Sequence, residues 1–254
     1  VTTIAEVSRE GIILASGGRA LLLQLANPAV GAGVVRHSDF AGDPLGRLHG
    51  TLAYVYAIAT GSEEEARTMR RIVNRAHAPV RGPGYSAMDP QLQLWVAATL
   101  YESAIGMFER VFGPVEDGEA LYRSYAVLGS ALQMPEDLWP PDRAAFREYW
   151  GSQIAALAVD DSVRAVERQL LHGSTLPGYL RPLLPSVRSL TAGLLPASVR
   201  ELYRMPWSEA DEARFERRMR AASAVYRRVP LGVRSYPQRH YLRRVRALEE
   251  SARG

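Results

Sequence analysis

What most constrains this chain is the punctuation of its sequence. Capping residues and prolines recur where helices begin and end, and no alternating apolar and polar stretch is flanked by hairpin turns. Ser62-Glu-Glu-Glu65 is a capping box with acids in the first turn, opening a helix that reaches about Pro79. Asp43-Pro44 and Asp89-Pro90 each set a cap before a proline at the first helical position. The first starts a pattern running through Leu48, Leu52, Val55, Tyr56 and Ala59 to Gly61, and the second a long helix, Leu92 to Phe112, closed by Gly113-Pro114. Upstream, residues 3–15 read as a first helix ended by Gly17 and Gly18, and Arg19 to Ala26 as a continuously apolar, buried helix broken by Asn27-Pro28. Pro28 to Val35 offers a short helix in which Gly31 and Gly33 allow another backbone or a flat ligand to come close, and close packing alone explains them equally well.

Arg81 to Met88 reads as a loop. Later helices are expected at about 116–132, 142–157, 160–171, 196–204, 208–228 and 236–251, with 173–196 a helical region broken by prolines. The reading is an all-α fold, one globular multi-helix domain over residues 1–254.

Composition narrows the chemistry. The 47% hydrophobic and 23% charged content supports a real core rather than disorder. The absence of cysteine excludes disulfides, thiolate haem ligation, iron–sulfur clusters and cysteine nucleophiles, and points to the cytoplasm as the expected compartment. No apolar run approaches the roughly 18 residues of a membrane-spanning helix, and a start at Val1 suggests that the native N-terminus is incomplete. Every one of the 31 basic residues is arginine, which removes Schiff-base and P-loop lysine chemistry. Residues 214–254 carry twelve Arg against three Glu, a tail that suits weak contact with an anionic membrane surface or the solvated face of a terminal helix; nucleic acid is not the expected partner.

Candidate chemistry therefore rests on His37, His49, His77, His172 and His240 with the carboxylates, serines and arginines. No His-Glu-x-x-His, Glu-x-x-His, Gly-x-Ser-x-Gly, Walker or Rossmann pattern is present. His77 stands near a helix end in small, apolar company, with Ile72, Val73 and Ala76 before it and Ala78-Pro79-Val80 after. Such an imidazole suits an axial haem ligand, which needs one protein bond and an apolar slot, and equally a core histidine bonded to a carbonyl. Arg47 and Thr51, four apart, share a helix face and suit a carboxylate or a polarised oxygen on a pocket wall; an exposed Arg beside a Thr bonded to its own backbone is the alternative. His37, beside Ser38 and Asp39, reads as capping a turn, and His49 as pointing away from the Arg47 and Thr51 face.

The run Gly18-Arg19-Ala20 to Ala26, Asn27-Pro28, His37-Ser38 and Asp43-Pro44-Leu-Gly-Arg47-Leu-His-Gly-Thr51 resembles the MpaB and rubber oxygenase catalytic domain. So do His77 with Val80-Arg81-Gly82, Tyr85-Ser86-Ala87, Asp89-Pro90 and Leu94-Trp95-Val96-Ala97-Ala98-Thr99-Leu100. The specific part spans about residues 17–103, and Phe112-Gly113-Pro114 and Leu138-Trp139-Pro140 continue it more weakly.

The resemblance implies an all-α fold enclosing one haem b and its iron, with oxygenase members that cleave carbon–carbon double bonds in isoprenoid chains. Carried over, His77 matches the axial haem ligand, and Arg47 and Thr51 the pocket Arg and Thr; Arg47 would anchor a propionate or polarise oxygen. A hydrophobic, unsaturated small molecule and O2, reacting opposite His77, would be the partners. Two departures stand out: Gly50 replaces the lysine that precedes the Thr in latex-clearing proteins, and Asn27 replaces a histidine of many relatives. They point to a small-molecule oxygenase rather than a rubber oxygenase in the strict sense. The alternatives are a haem-binding protein of other work, such as peroxidase-like oxidation, sensing or haem transfer, and a helical interaction protein using its basic tail without haem.

Overall fold

Caps and prolines do set most of the helices, as the structure shows. This is a computed structural model, and it describes residues 2–37, 44–172 and 178–253. The expected Asp43 cap and the Ser38 and Asp39 neighbours of His37 lie outside the described residues. In chain order come α1 (Ile4–Ser8), a 3-10 segment (Gly11–Ser16), α2 (Gly17–Ala26), α3 (Pro28–His37), α4 (Pro44–Thr60) and α5 (Glu63–His77). A two-strand hairpin, β1 (Arg81–Gly82) against β2 (Tyr85–Ser86), precedes α6 (Pro90–Phe112). Then follow α7 (Gly118–Ser124), α8 (Val127–Ser130), α9 (Arg143–Ala156) and α10 (Asp161–His172). The last are α11 (Leu184–Leu194), α12 (Ala197–Leu202), α13 (Glu209–Tyr226), α14 (Leu231–Arg234) and α15 (Tyr236–Arg253). The fold is all-α apart from that hairpin, and among the described residues no helix is long and apolar enough to cross a membrane.

α6 is the central helix. It buries residues around its whole circumference, from Leu94, Trp95 and Ala98 to Met107 and Val111, as a helix surrounded by others must. On one side Tyr101 meets Tyr122, Tyr125 and Phe146 edge-on, with ring centroids 5.1–5.2 Å apart. On another, Trp95 stacks on Trp150 and donates through Nε1 to the Leu23 carbonyl of α2 (3.3 Å).

The structure corrects four expectations. The first helix stops at Ser8, because Glu10 turns inward in extended backbone and is buried, accepting two hydrogen bonds from Arg234 (both 3.0 Å) and one from the Tyr226 hydroxyl (3.1 Å). Gly17 and Gly18 then begin α2 rather than end a helix; a Cβ on Gly18 would collide with the Thr191 side chain of α11. The helix expected at about 116–132 divides into α7 and α8, with Tyr125 and Ala126 between them, whereas 178–196 is broken by prolines as expected, into a 3-10 segment (Gly178–Leu183) and α11, whose Pro185 sits in the first turn where its missing N–H costs nothing. The expected loop at 81–88 contains the hairpin, turned by Gly84 at φ +79°, with strands too short to show an alternating pattern.

The basic C-terminal stretch forms a packed helix. Tyr241, Leu242 and Val245 of α15 are buried with Ala53, Tyr56 and Ala57 of α4 and Met69 of α5, and Tyr241 stacks on Tyr56 at 5.6 Å. Arg243, Arg244 and Arg246 face outward. Glu65 ties this helix to the capping box of α5: it accepts from the Ser62 backbone N–H (2.6 Å) and from Arg246 Nε (2.6 Å) while itself 3% exposed. Glu65→Ala removes both partners and should cost about 2 kcal/mol of stability. Chemical denaturation reads this directly, and an unchanged midpoint would show that the box and ion pair contribute nothing.

Candidate functional site

Where α3, α4, α5, the hairpin and α6 converge, they leave a cavity of about 260 Å³, close to the lower end of the range for small-molecule sites. Its walls are mostly apolar: Val30 and Val34 from α3, Val73 from α5, Val80, and Leu92, Val96 and Leu100 from α6, with Leu128 and Leu132 behind. Two glycines leave room. A Cβ on Gly50 would meet nothing within 4 Å, and one on Gly33 would rest 3.4 Å from the Tyr85 ring. Gly31 is different: its Cβ would stand 2.6 Å from the Leu25 carbonyl, so helix packing accounts for it.

His77 lies on this wall as the last residue of α5. It is half-buried, with Nδ1 out of reach of solvent. Its position is braced from below. Asn74, one turn earlier, accepts from Gln133 Nε2 (2.9 Å), Gln133 accepts from Gln93 Nε2 (2.8 Å), and Gln93 also donates to the Ala87 carbonyl (3.0 Å). This amide chain joins α5, the segment after α8, and the start of α6. The Gln133 backbone N–H closes it onto Gln93 Oε1 (2.9 Å), so the end of α5 is held by groups far apart in sequence.

Thr51 lines the same cavity from α4, beside Gly50 and one turn before Tyr54. The Tyr54 hydroxyl donates to the Leu128 carbonyl (2.7 Å), and burial holds it neutral by pushing its pKa well above the ordinary phenol range. Arg47 occupies α4 one turn before Thr51; its side chain lies outside the described residues.

Three histidines behave as their surroundings dictate. His37 ends α3, lines the cavity and shares a hydrogen bond between Nε2 and the Tyr85 hydroxyl (2.9 Å); the turn it is expected to cap lies outside the described residues. His49 turns the other way, its Nδ1 2.6 Å from the Tyr241 hydroxyl of α15, as the helix face predicts. His172 lies far off beside Arg188. Asn27 has no part in the cavity; its Oδ1 caps α3, accepting from the Ala29 and Val30 N–H groups at 3.0 and 3.2 Å. His37 is among the candidate histidines, but its pairing with Tyr85 and the Gln93–Gln133–Asn74 chain escaped the sequence reading, although Gly33 and the Tyr85-Ser86-Ala87 match both pointed at this wall.

A larger cavity of about 770 Å³ lies between α10, α11 and the α12–α13 connection, lined by arginines and sharing no residue with the first. Its polarity sets it apart from a site for apolar chemistry.

Among the described residues no group of three His, Asp or Glu side chains could hold a bare metal ion. A porphyrin, by contrast, brings four nitrogens of its own and asks for one imidazole and apolar walls. The donor set around His77 fits that demand.

The fold and cavity together define an all-helical protein with an imidazole on the wall of an apolar chamber. Residues 5–224 match the family described as ER-bound oxygenase mpaB/B'/Rubber oxygenase, catalytic domain, and the chain belongs to that family. Among curated relatives it is similar to Uncharacterized protein Mb2261 of Mycobacterium bovis and Uncharacterized protein Rv2237 of Mycobacterium tuberculosis. Each is 37% identical over 208 residues, covering 77% of this chain and 82% of the relative. No solved structure matches.

Proposed function

We propose that this is a haem b-dependent oxygenase acting on a hydrophobic, unsaturated, isoprenoid-like small molecule, with His77 as the residue that would hold the haem iron. The observation that carries the reading is the half-buried imidazole of His77 at the end of a braced helix, on the wall of an apolar cavity that Thr51 also lines. Membership of an oxygenase family supports the reaction class.

Bound there, the haem would supply the oxidation of the alkene by O2, and the protein supplies its setting. His77 would hold the iron, and the amide chain through Asn74 keeps its helix end in register. The valines and leucines exclude water and receive the apolar substrate. Thr51 offers a hydroxyl that can donate to a polar oxygen at the cavity wall, and Arg47, a turn away, is proposed to neutralise a propionate. Gly50 leaves space where a longer side chain would intrude.

Titrating the purified protein with haemin tests the proposal, followed by O2 uptake with a prenylated probe. A saturable Soret band and substrate-dependent uptake are expected; no Soret band would end both this reading and any other haem reading. Tyr85→Phe removes the hydroxyl partner of His37. If His77 is the ligand, that variant should keep the Soret position and change affinity less than about threefold, the worth of one modest hydrogen bond. A shifted band would instead place the iron on His37.

A further inference from the structure

The second cavity has a composition of its own. Six arginines face it, Arg164, Arg168, Arg188, Arg204, Arg214 and Arg218, against Asp161, Glu167 and Asp211. Three of the arginines are committed: Arg164 to Asp161 (2.7 Å) and the Val159 carbonyl (2.6 Å), Arg214 to Asp211 (3.2 Å), and Arg188 to the His172 ring (3.0 Å). The guanidinium groups of Arg168, Arg204 and Arg218 make no direct hydrogen bond or ion pair among the described residues, although Arg168 acts on Glu167 and Arg204 on Asp161 through longer-range attraction. Glu167 is their counterpart. It is 5% exposed, on the cavity wall, without a direct hydrogen bond or ion pair among the described residues, and burial raises its carboxyl above the usual range against the weaker opposing pull of Arg168 and Arg188.

Arg204 adds a second kind of observation. α12 ends in a Schellman motif, with the Met205 N–H on the Arg200 carbonyl (2.9 Å) and the Arg204 N–H on the Glu201 carbonyl (2.9 Å). The left-handed residue of that motif is usually glycine, yet here it is Arg204 at φ +54°. The backbone accepts a strained conformation and gains a guanidinium at the cavity. Six arginines against three acids leave an excess of positive charge at the cavity, and a polyanion that bridges them relieves the repulsion while matching their planar donor geometry.

We propose that this cavity binds a phosphorylated small molecule, the uncommitted arginines taking its phosphate or diphosphate and Glu167 accepting a hydrogen bond from a hydroxyl or ammonium group beside it. The concave shape and a volume of about 770 Å³ suit a small molecule rather than a duplex or a membrane surface. The site is independent of the histidine cavity and of what occurs there.

Calorimetry on the full chain with inorganic pyrophosphate tests this, supported by the fluorescence of Trp207 on the cavity wall. Saturable one-to-one binding is expected, weakened by about tenfold or more in the Arg168→Gln/Arg218→Gln variant. Arg243→Gln/Arg244→Gln on the outer face of α15 should leave it unchanged. Arg204→Gly should weaken binding while raising the melting temperature by about 2 °C, a split that loss of structure cannot produce. Glu167→Gln should keep pyrophosphate binding and abolish a preference for phosphoethanolamine over methyl phosphate. The proposal is overturned by an absence of saturable binding, by equal losses in the α15 variant, or by an Arg204→Gly protein with unchanged affinity. Tighter binding to duplex DNA than to pyrophosphate, lost in the same cavity variants, would also overturn it by assigning these arginines to nucleic acid.

Discussion

His77→Ala should abolish stable haem binding, weakening it by more than about 100-fold, since even partners that merely orient a metal ligand are worth 10- to 100-fold. The protein should remain folded. His77 is half-buried at a helix end, so truncation there removes no packed core side chain, and the Gln93–Gln133–Asn74 chain that anchors the end of α5 stays intact. A useful companion is His77→Gly with added imidazole: a free ring seated in the vacated space should restore the Soret band, as it would not if the substitution had collapsed the cavity. Unchanged spectra in His77→Ala would sink the assignment and move attention to His37 on the same wall. Thr51→Val is the gentler probe: haem affinity preserved, O2 uptake reduced, because the methyl that replaces the hydroxyl keeps the shape and removes the donor.

The second large effect is expected outside the histidine cavity. Arg19, 9% exposed, donates to the Leu194 carbonyl of α11 (2.9 Å), to Ser103 Oγ (2.9 Å) and to Glu102 (3.2 Å) on α6. It pins three helices at one point, beside Gly18, where α11 comes close enough to forbid a side chain. Arg19→Ala strands a carbonyl, a hydroxyl and a partly buried carboxylate, and should cost about 3 kcal/mol. Denaturant unfolding would show it as a lower midpoint, with haem affinity per folded molecule unaltered. A loss below about 1 kcal/mol, the level of an exposed ion pair, would contradict the interior role. On this reading Gly18-Arg19 holds the scaffold, and the chemistry sits elsewhere.

How much of this the sequence disclosed follows from the range of the forces involved. Capping boxes act over three residues, so Ser62 with Glu65 could be read directly, and Asp89-Pro90 likewise opens α6 where expected. The break after Ser8 could not, because it depends on Glu10 meeting Arg234 and Tyr226 from the other end of the chain. His77 emerged through the resemblance and its apolar neighbours. The place of His37 on the cavity wall was not legible, because it is set by Tyr85, a partner 48 residues on, and by the approach of α3 to the hairpin. Arg204 gave no signal at all, since the usual sign of a left-handed helix stop is glycine.

The family match ends at residue 224, whereas α15 begins at Tyr236. Yet Tyr241, Leu242 and Val245 seal the outer side of α4 and α5, the two helices whose inner sides carry Thr51 and His77. A chain shortened to the boundary that homology draws would therefore expose Tyr56 and Met69 to water and release Glu65 from Arg246. Anyone trimming this protein for crystals or transplanting its histidine-lined chamber into another scaffold should treat the last helix as the chamber's outer brace, and cut beyond it.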